Sequence, residues 1–112
     1  MTTRFTYAIK YVSDMEKAVR FHRDTLGLAL KFQTPGWTEF VTGDVTLALH
    51  TATKENPAGT VELGFGVPDV VKFYDAAMAK GITTVGPIRE VHGSHIGRFL
   101  DSDGAECSVS SR

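Results

Sequence analysis

The sequence predicts an α+β fold built from two βαβββ modules, and three observations lead there. The chain repeats itself: Val12 and Val67, Asp14 and Asp69, and Lys17 and Lys72 recur at one constant offset. Each copy opens with an apolar, β-prone run, turns at an Asp, and enters an amphipathic stretch that stops at a Gly, Gly27 or Gly81. Short alternating segments separated by turn residues then follow each helix. A repeat of this kind sets the architecture, because each copy is one supersecondary unit.

Taken in order, residues 5–12 read as the first strand, with β-branched and aromatic types in alternation. Ser13 or Asp14 caps a helix over residues 15–25, and Met15, Ala18, Val19, His22 and Leu26 form its apolar stripe. Gly27 ends it in the left-handed conformation that Gly adopts at low cost. Strands are expected near 29–34, 37–42 and 45–51, divided by Pro35-Gly36 and by a Gly43-Asp44 hairpin turn. Residues 1–52 make the first module, 53–60 a polar linker and 61–112 the second module. The second module repeats the plan with a strand at 61–67, a cap at Asp69 and a helix over 70–80. Further strands are expected near 82–86, 96–100 and 106–110, and the residues between Gly86 and Gly97 read as a long loop.

Bulk composition narrows the function classes. At 112 residues the chain is a single domain, large enough to bury roughly two-thirds of its unfolded surface. Twelve basic and thirteen acidic residues nearly cancel, which argues against nucleic acid or an anionic membrane surface as partner. The opening Met-Thr-Thr-Arg has no apolar run and so predicts neither signal peptide nor anchor. A single Cys107 cannot form an internal disulfide, which suits a reducing cytoplasm.

Val12-Ser13-Asp14-Met15 with Phe21 and Leu26-Gly27, followed by Phe99-Leu-Asp-Ser-Asp-Gly104, gives the chain its resemblance. It resembles the vicinal oxygen chelate superfamily, which includes glyoxalase I, bleomycin-resistance proteins, fosfomycin-resistance enzymes and extradiol dioxygenases. Ser102 stands where that family's turn usually carries Pro. The resemblance covers both halves and implies two curved half-barrels facing one another across a small-molecule cleft. It does not name the chemistry, because this fold hosts many activities.

The superfamily's metal enzymes hold a divalent ion with four inward-facing strand residues. By the resemblance those positions fall on Tyr7, Ala48, Glu62 and Ser108. Only Glu62 is a good ligand among them; a phenol binds metal poorly until deprotonated, and Ala and neutral Ser offer little. His50 lies two residues beyond Ala48 on the same strand face and could pair with Glu62, with His92 or His95 as a third ligand. The resemblance thus implies a protein without the usual complete metal site. Its alternative is a divalent ion (Zn, Ni, Fe or Mn) on His50 and Glu62.

Glu62, His50 and Tyr7 are the candidate catalytic residues. A carboxylate in an apolar cleft is a general-base candidate or a partner for a cationic ligand, whereas at the start of a strand it is equally a solvated side chain. Tyr7, Ile9 and Tyr11 alternate onto one strand face and, with Trp37, Phe40, Ala48 and His50, are expected to line the pocket. Gly64 and Gly66 leave room for a flat ligand or supply strand curvature. Arg98 and Ser108 complete the candidate ligand-binding set. His22 is expected to pack beside its helix, and Cys107 to point inertly toward the helix layer.

Two function classes follow. One is a metal-free protein that binds a small planar or hydrophobic molecule, as drug-resistance members of the superfamily do. The other is a divergent metal-dependent lyase, isomerase or dioxygenase, or a metal-independent catalyst. The resemblance also implies a homodimer, since curved half-barrels need a partner to cover their concave faces.

Overall fold

A computed structural model describes residues 2–111. It contains eight strands and two helices, an α+β architecture divided into two compact units. One unit runs from Tyr7 to Glu62; the other gathers the chain's opening residues through Thr6 and everything from Leu63 onward. The division falls inside the first and fifth strands rather than at the linker.

In the first unit β1 (Arg4–Val12), β2 (Ala29–Gln33), β3 (Trp37–Val41) and β4 (Thr46–Thr51) take the order β2-β3-β4-β1. β1 and β4 are parallel, and the other pairs are antiparallel. Helix α1 (Met15–Arg20) starts at Asp14, whose carboxylate accepts the Lys17 N–H at 3.1 Å. The predicted helix through residue 25 changes character at Phe21. Phe21–Thr25 is a π-helical turn, closed by the Leu26 N–H donating to the Phe21 carbonyl. The helix side of the sheet buries Val12, Val19, Phe40 and Leu49. His22 is buried there too, with Nδ1 2.7 Å from the Ala18 carbonyl and its ring 5.7 Å from that of Phe40.

The linker is shaped rather than loose. Gly59 donates to the Tyr11 carbonyl, and Tyr11 donates back to the Thr60 carbonyl. This exchange brings the returning chain alongside β1, and Glu62 with it.

In the second unit β5 (Val61–Gly66), β6 (Arg89–Val91), β7 (Ser94–Leu100) and β8 (Glu106–Ser110) take the order β5-β8-β7-β6. Helix α2 (Val70–Ala79) starts at Asp69, whose carboxylate accepts the Lys72 N–H at 3.1 Å. The expected strand at 82–86 is replaced by an isolated bridge between Thr84 and Phe99. The expected loop from Gly86 to Gly97 is instead mostly a hairpin, β6 turning into β7 at His92-Gly93. Both turn residues have positive φ, 49° and 79°, as the tight turns that match strand twist require. Asp101 organises the β7–β8 turn by accepting the N–H groups of Asp103 and Ala105, each at 2.9 Å. Cys107 is buried, opposite Phe99 on β7.

Candidate functional site

Strand register decides which side chains share a face. Tyr11, His50 and Trp37 are neighbours across β1, β4 and β3, and Ile9, Ala48 and Glu39 form the next row. Both rows lie on the face opposite α1. There Ile9, Tyr11 and Ala48 form a buried cluster with Tyr7 and Trp37 packed against it. Tyr7, Trp37 and His50 are half-buried, so rings stand around a buried floor.

These rings meet at angles rather than in parallel stacks. Tyr7 and Trp37 have centroids 6.1 Å apart at 57°, and Trp37 and His50 are 6.0 Å apart at 85°. Tyr11 and His50 are 5.0 Å apart at 45°. Tilted and edge-on contacts of this kind suit ring quadrupoles.

Polar side chains are buried within this apolar setting. The Tyr11 hydroxyl donates to Glu62 Oε1 at 3.0 Å, and Glu62 is only 2% exposed. The Trp37 indole donates to Glu39 Oε2 at 2.8 Å, and Glu39 is 1% exposed. His50 Nδ1 lies 2.6 Å from the Thr51 carbonyl. A carbonyl only accepts, so Nδ1 is the donor in this contact.

The expected site residues sort as follows. Tyr7, Ile9, Tyr11, Trp37, Ala48 and His50 come together on the first unit's face, and Glu62 joins them through Tyr11. Glu62 accepts a hydrogen bond from Tyr11, one of the residues expected to line the pocket. Phe40 does not belong to this face: it follows Glu39 on β3, so alternation turns it under α1 beside Leu49 and Val19. Gly64, Arg98 and Ser108 lie in the second unit, where Gly64 pairs with Ser108 and Ser108 with Arg98. Gly66 pairs with Ser110 in the same unit. Arg98 Nε is 3.3 Å from Glu106 Oε1. His92 occupies the β6–β7 turn, and His95 Nε2 is 3.6 Å from Glu90 Oε2 on that hairpin.

Glu39 was not singled out from sequence. Its signal was present, since it stands two residues from Trp37 on one strand and therefore shares its face. Among the described residues, no three His, Cys, Asp or Glu side chains converge to hold a metal ion. A catalytic divalent-metal centre usually takes three protein ligands and keeps an open position. No described helix is long and apolar enough to cross a membrane.

Comparisons with known proteins agree with this architecture. The profile of the Glyoxalase/Bleomycin resistance protein/Dioxygenase superfamily matches residues 4–109. A hypothetical protein from Bacillus halodurans C-125 is similar in structure, with a TM-score of 0.80, 13% identity, and coverage of 98% of this chain and 94% of that one. A Streptomyces coelicolor methylmalonyl-CoA epimerase variant, in complex with 2-nitronate-propionyl-CoA, gives a TM-score of 0.79 at 20% identity over 98% and 94%. A superfamily member from Vibrio splendidus 12B01 gives 0.70 at 17% identity over 97% and 98%. No curated protein matches the sequence. The fold, the repeat and the matched profile together make the chain a member of the Glyoxalase/Bleomycin resistance protein/Dioxygenase superfamily.

Proposed function

We propose that this protein binds a small planar or hydrophobic molecule on the aromatic face of its first unit, without a complete metal centre. The observation that carries this reading is one sheet face that combines half-buried Tyr7, Trp37 and His50 with the buried Tyr11–Glu62 and Trp37–Glu39 pairs. Burying carboxylates beside aromatic rings costs stability unless each is hydrogen-bonded, so a fold that does it twice on one face is specifying polarity there. Rings supply stacking area and the carboxylates supply orientation. The protein is read as a homodimer in solution, and light scattering that gives a monomer at micromolar concentration would contradict that assembly.

A second reading, proton-transfer catalysis, draws on the tautomer of His50. Its Nδ1–H is engaged by the Thr51 carbonyl, so Nε2 is the ring nitrogen that this contact leaves available beside Tyr11 and Trp37. Epimerase-like chemistry belongs to this reading; the alternative of a metal-dependent lyase, isomerase or dioxygenase would need a divalent ion as well.

The test uses quinoline, a flat heterocycle that is neutral at neutral pH. Calorimetry should show saturable binding, and Glu62→Gln should weaken it several-fold. The amide oxygen of that variant still accepts from Tyr11, so the thermal midpoint should barely change. An absence of binding by quinoline and by its N-methylated cation alike would defeat the reading. Stoichiometric zinc, nickel, iron or manganese in protein purified without a histidine tag would favour the enzyme.

A further inference from the structure

The least expected feature of the first unit is how Glu39 is neutralised. Its carboxylate is 1% exposed, and its hydrogen-bond donor, the Trp37 indole at 2.8 Å, carries no charge. The cation nearest to it is Lys31, with Nζ 3.8 Å from Glu39 Oε1, beyond hydrogen-bond reach. The Lys31 side chain is 59% exposed. A long, solvated ammonium held this loosely gains little and is easily displaced.

Backbone geometry explains the placement. The β2–β3 register runs Leu30 opposite Phe40 and then Phe32 opposite Glu39, so Lys31 is the extra residue of a β-bulge. Bulges re-aim side chains. This one sets an apolar ring, Phe32, and an ammonium, Lys31, beside a single buried carboxylate. Across the strand Glu39 adjoins the fully buried Ala48, and the half-buried ring of Trp37 meets Tyr7 at a tilt and His50 edge-on.

From this we infer that Glu39 is a subsite for a cationic group, a protonated amine, quaternary ammonium or flat heteroaromatic cation, and that Lys31 occupies it until the ligand arrives. The ligand's cation takes over the charge pairing with Glu39 and gains the faces of Trp37 and Tyr7, an arrangement that favours cations over neutral molecules of equal shape. Lys31 then swings fully into water. The inference rests on the proposed small-molecule role of this face and gives it a ligand class.

The experiment compares N-methylquinolinium with quinoline, matched in shape and different in charge, by calorimetry at neutral pH. Quenching of Trp37, the chain's single tryptophan, reports whether the probe reaches this face. The cation should bind about tenfold more tightly than quinoline. Glu39→Gln should erase that preference. Lys31→Met should strengthen cation binding several-fold, because the internal competitor is gone, and should widen the preference for the cation over quinoline. An ion pair that served stability alone would give the opposite: a lower melting temperature and no gain in affinity. Lys31 is exposed, so its variant tests the inference even if Glu39→Gln fails to fold. Equal binding of the two probes, or no gain from Lys31→Met, overturns the cation subsite while leaving the proposed binding role standing. Failure of both probes to bind overturns that role itself.

Discussion

The two halves share a plan and differ in what they place on it. Ile9 sits opposite Ala48 in the first unit and Gly64 opposite Ser108 in the second, so these pairs occupy the same node of the repeat. At neighbouring nodes Tyr11 becomes Gly66, His50 becomes Ser110, and Glu39 becomes Arg98. One face is aromatic with a buried acid, and its counterpart is small and polar with a base. The helix sides invert the trend. Val19 of the first core corresponds to Tyr74 of the second, and Thr38 to Gly97. Tyr74 reaches into β7: its hydroxyl accepts the Arg98 N–H at 2.9 Å and lies 3.1 Å from the Arg98 carbonyl. A repeat can thus keep its backbone while exchanging bulk between its two layers.

The largest expected effect tests whether the cores are equivalent. Leu49→Ala should destabilise by about 2–5 kcal/mol, because Leu49 is fully buried in the first core. Val109→Ala, its counterpart, should cost less because it removes less volume. Chemical denaturation of both variants measures the difference.

Next is the exchange of bulk at Tyr74 and Gly97. A Cβ on Gly97 would collide with Tyr74 Cε1 and meet the hydroxyl at 2.6 Å and Cζ at 2.8 Å, closer than atoms tolerate. Gly97→Ala should therefore cost about 1–3 kcal/mol. In a Tyr74→Val background, which restores the first unit's solution, the same change should cost little. A double-mutant cycle with no coupling would show that the two residues do not compete for that space.

Asp14→Ala and Asp69→Ala should each cost about 1 kcal/mol, since both carboxylates cap a helix in one geometry. Clearly unequal losses would mean that the π-helical turn after α1 changes what its cap contributes. The smallest expected effect lies in that turn. Arg23 holds the Asp24 carboxyl below its ordinary range through a side-chain hydrogen bond, and its charge adds to this. A lowered folded-state pKa gives stability that is present at neutral pH and lost as pH falls through that lowered value. Both groups are exposed, so Asp24→Asn should leave the thermal midpoint unchanged at neutral pH. A distinct drop would reveal a role for the pair beyond the surface.

Much of this molecule was readable from its residues for identifiable reasons. Asp14 and Asp69 act locally, so their capping roles were visible in the repeat itself. Alternation alone placed Tyr7, Ile9 and Tyr11 on one face. Phe40 was grouped with Trp37 although it stands three residues further along β3, and the alternation that turns Phe40 under the helix is the same one that puts Glu39 beside Trp37. The hairpin around His92 was hidden because its turn uses a non-Gly residue at positive φ. The Tyr11–Glu62 bond depends on how residues 53–60 fold back along β1, a tertiary fact without a local signature.

The most direct test of the account is a two-dimensional NMR titration of labelled protein with quinoline. The account predicts the largest shifts at the Trp37 indole N–H, the His50 ring and the Tyr11 amide. The Arg98 and Ser108 amides should move little. The reverse pattern, with the second unit responding and the first silent, would contradict the claim that the aromatic face of the first unit holds the ligand.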